Sequence, residues 1–180
     1  IPLRLVGSEM CIRDRDKSVK LKKGSQIITK AAHDISGDVL VIQMGSNGGW
    51  DDYDELIEQY KAMIANSGTE CYIIIGDTDN PDESVDSANY TSSQEVGTDD
   101  SMWEAALREA FGEHFINMRT YLLENALNIA GLESTQMDEE DLSQGRVPET
   151  IKYDYTHLNS YGYYAIGYGV YEKGLELGYW

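Results

Sequence analysis

Apolar and polar positions along this chain alternate between short buried runs and longer stretches of helical period. In "SVKLKKGSQIITK" (Ser18 to Lys30), Val19 and Leu21 alternate with lysines, a turn falls at Lys23-Gly24, and the run resumes through Gln26 to Thr29. That pattern predicts a hairpin at the domain edge. A turn through Asp34 and Gly37 leads to Val39–Met44, a near-continuous apolar strand of the kind covered on both faces. Asp51 or Asp52 can cap the next helix, with Glu55 at capping-box spacing from Asp52. Leu56, Ile57, Tyr60, Met63 and Ile64 follow one helical face, and Gly68 ends it. Cys71–Ile75 is a second buried strand, and Gly76 to Asp100 forms a long polar loop.

Ser101 and Glu104 make a second capping box before a helix whose apolar face carries Trp103, Ala106, Leu107 and Ala110, with Gly112 as its stop. His114–Met118 predicts a third strand. Leu122, Leu123, Ala126, Leu127 and Ile129 mark a helix that stops at Gly131. The acidic run Asp138–Asp141 is expected as a solvated loop before Pro148, and Asn159 or Ser160 begins a last helix with Ile166 and Val170. Strand–helix alternation with buried strands implies an α/β fold, a mostly parallel sheet between helices in a three-layer α/β/α sandwich. Interior glycines Gly162, Gly167 and Gly169 each cost about 1 kcal/mol against alanine. They imply a last helix lying close against the sheet, or kinked.

Composition narrows the choice of partners. A net charge of −18 argues against nucleic acid or an anionic membrane surface, which need a Lys/Arg footprint. No apolar run is long enough to span a bilayer. At the start, "VGSEMCIRDR" (Val6 to Arg15) resembles the translation of a transposase adapter used to prepare sequencing libraries, so residues 1–16 are expected to be a non-native scar and 17–180 a single, incomplete domain. Cys11 then belongs to the scar. Cys71 remains as a lone thiol in an apolar run, expected to pack as a small core residue, and no disulfide or metal framework is implied.

Candidate chemistry begins at "VLVIQMGSNGGWDD" (Val39 to Asp52), a glycine-rich turn between strand and helix. A phosphate loop would need a lysine after its glycines, and a dinucleotide fingerprint G-x-G-x-x-G; neither is present, and Asp51 and Asp52 would face the polyanion. The remaining use is a transient anion. Asn47 stands three residues past Met44, at the strand end where open α/β sheets hold ligands. Its amide can be aimed at a developing oxyanion, an arrangement worth about 3 kcal/mol of transition-state stabilisation. Gly45 permits the sharp turn, and Gly48-Gly49 allow close approach of a substrate. Taken alone, the same motif also describes a turn asparagine that satisfies its own backbone.

A second motif lies in "YDYTHLNSYGY" (Tyr153 to Tyr163). Asp154 and His157, three residues apart before a helix, can pair through the imidazole Nδ1–H and leave Nε2 as a general base. Other features read as structure. Gly76-Asp77-Thr78 is a strand-end turn, and the Asp77–Asp82 run departs from a calcium loop at Pro81 and Asp82. His33 is expected at the surface and His114 at a strand edge. Trp50 either lines a pocket or serves as core or lid. Tyr161, Tyr163, Tyr164 and Tyr168 have the make-up of a carbohydrate-stacking set, but clustered on one helix they are expected to pack.

The Gly-x-Asn turn after an inner strand, followed near the C-terminus by Asp-x-x-His-Leu-Asn and a glycine, resembles the SGNH/GDSL hydrolases, particularly bacterial members with Asn-Gly where others have Asn-Asp. The likeness covers Val39 to Trp180 in element order. It implies a flavodoxin-like sandwich and a serine esterase in which Asn47 supports the oxyanion, His157 is the base and Asp154 orients it. Gly45, Gly48 and Trp50 would line the substrate. No metal or organic cofactor is implied. The family's nucleophilic Gly-Asp-Ser and its oxyanion glycine are expected ahead of the Gly-x-Asn turn and do not appear there, so the first strand is read as missing and the chain as inactive by itself. The substrate would be a small-molecule or carbohydrate ester, and the resemblance points to secretion or the cell envelope. An acyltransferase with the same residues, or a non-catalytic carbohydrate-binding or interaction module, are the competing readings.

Overall fold

The computed structural model describes residues 38–46, 48–78 and 100–180, together with Lys23. The expected scar, the 18–30 hairpin, His33, Asn47 and most of the long polar loop (79–99) lie outside the described residues. The chain divides into two units, Ile1–His33 and Asp34–Trp180. All the elements that follow belong to the second.

Three parallel strands, β1 (Leu40–Ile42), β2 (Tyr72–Ile75) and β3 (Phe115–Ile116), lie side by side in that order. Helix α1 (Tyr53–Ser67) connects β1 to β2, and α2 (Met102–Phe111) with a 3-10 turn (Gly112–His114) leads into β3. Beyond the sheet come α3 (Met118–Ala130), α4 (Gln136–Ser143), a 3-10 turn (Glu149–Ile151) and α5 (Ser160–Glu176).

Successive residues of a strand point to opposite faces, and the two cores follow that alternation. Ile74 and Phe115 join Ile42, Leu56, Tyr60, Trp103, Leu107 and Phe111 in a core beneath α1 and α2. Ile73, Ile75 and Ile116 join Leu122, Ala126, Ile151, Leu158, Ala165 and Ile166 beneath α3 and α5. The sheet is therefore covered on both sides, and the expected α/β layering is present. Coverage is uneven at β1. Val41 pairs in register with fully buried Ile73 and so shares its face, yet stands 42% exposed.

The helix ends follow the chemistry of their caps. Asp52 accepts the Glu55 N–H, while the Glu55 carboxylate accepts the Asp51 N–H at 2.7 Å, a capping box whose return arm is shifted by one residue. Ser101 and Glu104 form the full box on α2. Gly68 and Gly131 end α1 and α3 in the left-handed region. Glu104 does more than cap. Buried with Arg119, it accepts the guanidinium at both oxygens, 2.7 Å each, and a further Arg119 N–H reaches the Gly145 carbonyl. Because α2 and α3 cover opposite faces of the sheet, this pair ties the two helix layers together beyond β3.

Three expectations are corrected. The third strand is only Phe115–Ile116: His114 belongs to the preceding 3-10 turn, and Asn117 caps α3, accepting the Thr120 N–H. The acidic run 138–141 is helical within α4, and Asp138 is fully buried rather than solvated. The tyrosines of α5 do not pack into the core. Tyr161, Tyr163, Tyr164 and Tyr168 are all exposed, while small residues face inward. Gly162 touches the Ile151–Leu158 segment and Gly169 touches Tyr121 of α3; an added Cβ would stand 2.7 Å from the Ile151 carbonyl oxygen or from the Tyr121 ring. These two glycines approach α3 and the loop before α5, and the helix also lies against β2 and β3, as expected.

Candidate active site

The Gly-rich turn leaves β1 at the carboxyl end of the sheet. Gly45 (φ +111°), Gly48 (φ +75°) and Gly49 (φ +94°) all occupy conformations that side-chain-bearing residues rarely adopt. At Gly45 sterics add to the requirement, since a Cβ would lie 2.7 Å from the buried Trp103 ring. Side chains from α1 and its lead-in hold the turn. Tyr60 donates to the Met44 carbonyl at 2.7 Å, Trp50 Nε1 donates to the Gly45 carbonyl at 3.0 Å, and Gln59 donates to the Gly49 carbonyl at 3.0 Å. Burial pushes the Tyr60 phenol up to about 12, which keeps it a donor. Trp50 also lies against Trp103, ring centroids 5.5 Å apart. Its observed role is to brace the turn. Ser46 donates to Asp77 at the end of β2, 3.0 Å away, so the first two strand ends are joined by side chains. Asn47 itself lies outside the described residues.

Asp154 and His157 form one pair. His157 Nδ1 lies 2.9 Å from both carboxylate oxygens, and Asp154 Oδ1 also accepts the backbone N–H groups of Thr156 and His157. These donors, the His157 backbone first and its ring second, hold the Asp154 carboxyl below the usual carboxylate range. An ionised carboxylate can only accept, so Nδ1 carries a proton, and in the neutral imidazole Nε2 then holds the lone pair. The ring is 66% exposed along its side chain.

The pair sits at the tip of a short hairpin between the 3-10 turn and α5. Lys152 and Leu158 make an antiparallel bridge, and Tyr153 N–H donates to the His157 carbonyl at 2.7 Å. Asn159 closes the neck. Its amide donates to the Thr150 and Lys152 carbonyls, its N–H to Ile151, and its side-chain oxygen caps α5. Asp138 anchors the same strand from α4, accepting the N–H and hydroxyl of Thr150 (2.8 and 2.6 Å) and those of Thr135 (2.9 and 2.8 Å). Burial pushes its carboxyl up, but these donors outweigh burial and leave it below the usual range. At the other end of α5, Tyr179 is bonded to Tyr72, where β2 begins. A helix of 17 residues rises about 25 Å, so the hairpin at its start lies well away from Tyr72.

The turn stands at the carboxyl end of β1, the end where α/β sheets hold ligands. Among the described residues no hydrogen bond joins it to the hairpin. Asp138, Thr150 and the bracing role of Tyr60 were not expected from the sequence; only the cap at Asn159 was. No protein-family model, curated protein or solved structure matches the chain. Among the described residues no group of His, Cys, Asp and Glu could hold a metal ion, and no helix is long and apolar enough to cross a membrane.

Proposed function

We propose that the chain carries the acid–base half of an SGNH-type serine esterase. In this reading Nε2 of His157 takes the proton of a serine hydroxyl as that oxygen attacks an ester carbonyl. Asp154 stabilises the resulting imidazolium, and the Asn47 amide holds the tetrahedral oxyanion. The imidazolium then protonates the leaving alkoxide, and the same nitrogen later activates the water that frees the acid. The observation that carries the reading is the Asp154–His157 pair, with Nδ1 committed to the carboxylate and Nε2 left open. Among the described residues β1 is an edge strand of the sheet, and this supports the reading, because the resemblance puts a further strand, the one bearing the nucleophile, beside β1.

No Gly-Asp-Ser stands ahead of Asn47 in these residues, so the chain alone is expected to show no turnover. The test is hydrolysis of p-nitrophenyl acetate by a longer reading frame that encodes these residues and a Gly-Asp-Ser upstream. His157→Ala is expected to lower kcat by 100-fold or more, on the order of what a positioned base contributes. Full activity in His157→Ala, or no serine in that position, refutes the reading.

A further inference from the structure

Helix α5 inverts the usual arrangement of a surface helix. Its inward positions are mostly small, with Gly162, Ala165, Gly169 and Gly174 buried beside Ile166, while Tyr161, Tyr164, Tyr168, Tyr171 and Leu175 stand 41–58% exposed. Their spacing of three and four residues puts them on one stripe that runs about 21 Å along the helix. Aromatic surface left contiguous in water marks a contact site more often than chance.

Beside the stripe, α3 and α5 enclose a groove of about 280 Å³. Tyr164 and Tyr168 form one wall, and Asn125 and Asn128 project from the other. Glu172 closes the end, accepting the Tyr121 hydroxyl at 2.6 Å. The absence of a side chain at Gly169 is what admits the Tyr121 ring. Asn125 spends its N–H on the Tyr121 carbonyl and keeps its amide oxygen available, and the Asn128 side chain makes no hydrogen bond among the described residues.

We propose that this groove binds a neutral oligosaccharide. A sugar ring has an apolar C–H face, which suits the electron-rich face of tyrosine, and a rim of hydroxyls that can both donate and accept. Here tyrosine rings, uncommitted amide groups and a carboxylate with one oxygen taken by Tyr121 stand side by side. Other occupants fit less well. No Lys or Arg lines the groove, so a phosphate or an acidic glycan would meet Glu172 without a counter-charge in a chain already at −18. A lipid or an apolar peptide would strand two amides and a carboxylate out of water. A second copy, itself at −18 overall, would be opposed by like net charge. The site does not rest on the esterase reading, since none of its residues belongs to the turn or the hairpin.

The test is an amide-resolved NMR titration of the 180-residue chain with cellotetraose, xylotetraose and chitotetraose at millimolar concentrations. The expected result, with at least one probe, is saturable shifts of the Asn125 and Asn128 side-chain amides. Tyr164→Ala and Tyr168→Ala, both at exposed positions, should each weaken binding about tenfold, the loss of roughly one stacking contact. Overturning results are no saturable shift with any of the three, shifts confined to other elements, or binding undiminished in the double variant. Dimerisation through the stripe, seen as a sedimenting dimer that Tyr164→Ala returns to monomer, would also overturn it.

Discussion

Asp154 Oδ1 collects two backbone N–H groups and shares the imidazole with Oδ2, so its ionisation and the shape of the hairpin are one event. Its carboxyl is depressed below the ordinary 3.8. A depressed acid stabilises the fold above the unfolded value and loses that contribution as pH falls through the lower folded value. Hairpin order is therefore expected to persist at pH 4 and to fail only below the ordinary carboxylate pKa. Carboxyl-carbon NMR of Asp154 checks this; a midpoint at or above 3.8 contradicts it. The pair was legible in the sequence because everything it needs lies within three residues. Asp138 was not. It sits in a run of four acids that resembles any solvated stretch, and the partner that makes it a buried anchor, Thr150, is twelve residues away with no period linking the two.

At the scale of elements, helix ends were legible and short elements were not. Asp52, Ser101 and Asn159 cap where they should, because a cap is a contact within three residues. Helix α4 escaped because its eight residues offer Met137 and Leu142 as apolar positions and no repeating face. The third strand shrank because Asn117 competes for the chain as the cap of α3. Helix α5 offers a controlled test of close packing. At Gly167 nothing lies within 4 Å of an added Cβ, so Gly167→Ala should gain up to about 1 kcal/mol of helix propensity. The same change at Gly162 sets a Cβ 2.7 Å from the Ile151 carbonyl oxygen and 2.8 Å from Leu158, both fixed parts of the hairpin neck. Gly162→Ala should therefore lose about 1–3 kcal/mol to overpacking. Urea unfolding of the two variants decides it, and Gly162→Ala as stable as Gly167→Ala would contradict the close approach.

Across the whole molecule, the layering was readable from strand–helix alternation, but the tie between the layers was not. Glu104 is legible as a cap, and nothing in the spacing of fifteen residues announces that Arg119 will claim it from the other side of the sheet. Removing one member leaves the other charged and buried, so Arg119→Met should cost about 3–5 kcal/mol. A loss under about 1 kcal/mol in urea unfolding would show the pair to be incidental. The candidate site depends on the same layering, since it needs the turn after β1 and the hairpin before α5, from different parts of the chain, to meet at the carboxyl end of the sheet. A donor within 3 Å of an oxyanion, and a base within 3 Å of the attacking oxygen, require the Asn47 amide nitrogen and His157 Nε2 to lie within about 8 Å of each other. Their separation, measured by NMR cross-relaxation between the Asn47 amide and the His157 ring or by crystallography, tests the central claim most directly. A distance of about 8 Å or less is predicted, and a separation beyond about twice that, with no shared cleft, would contradict it.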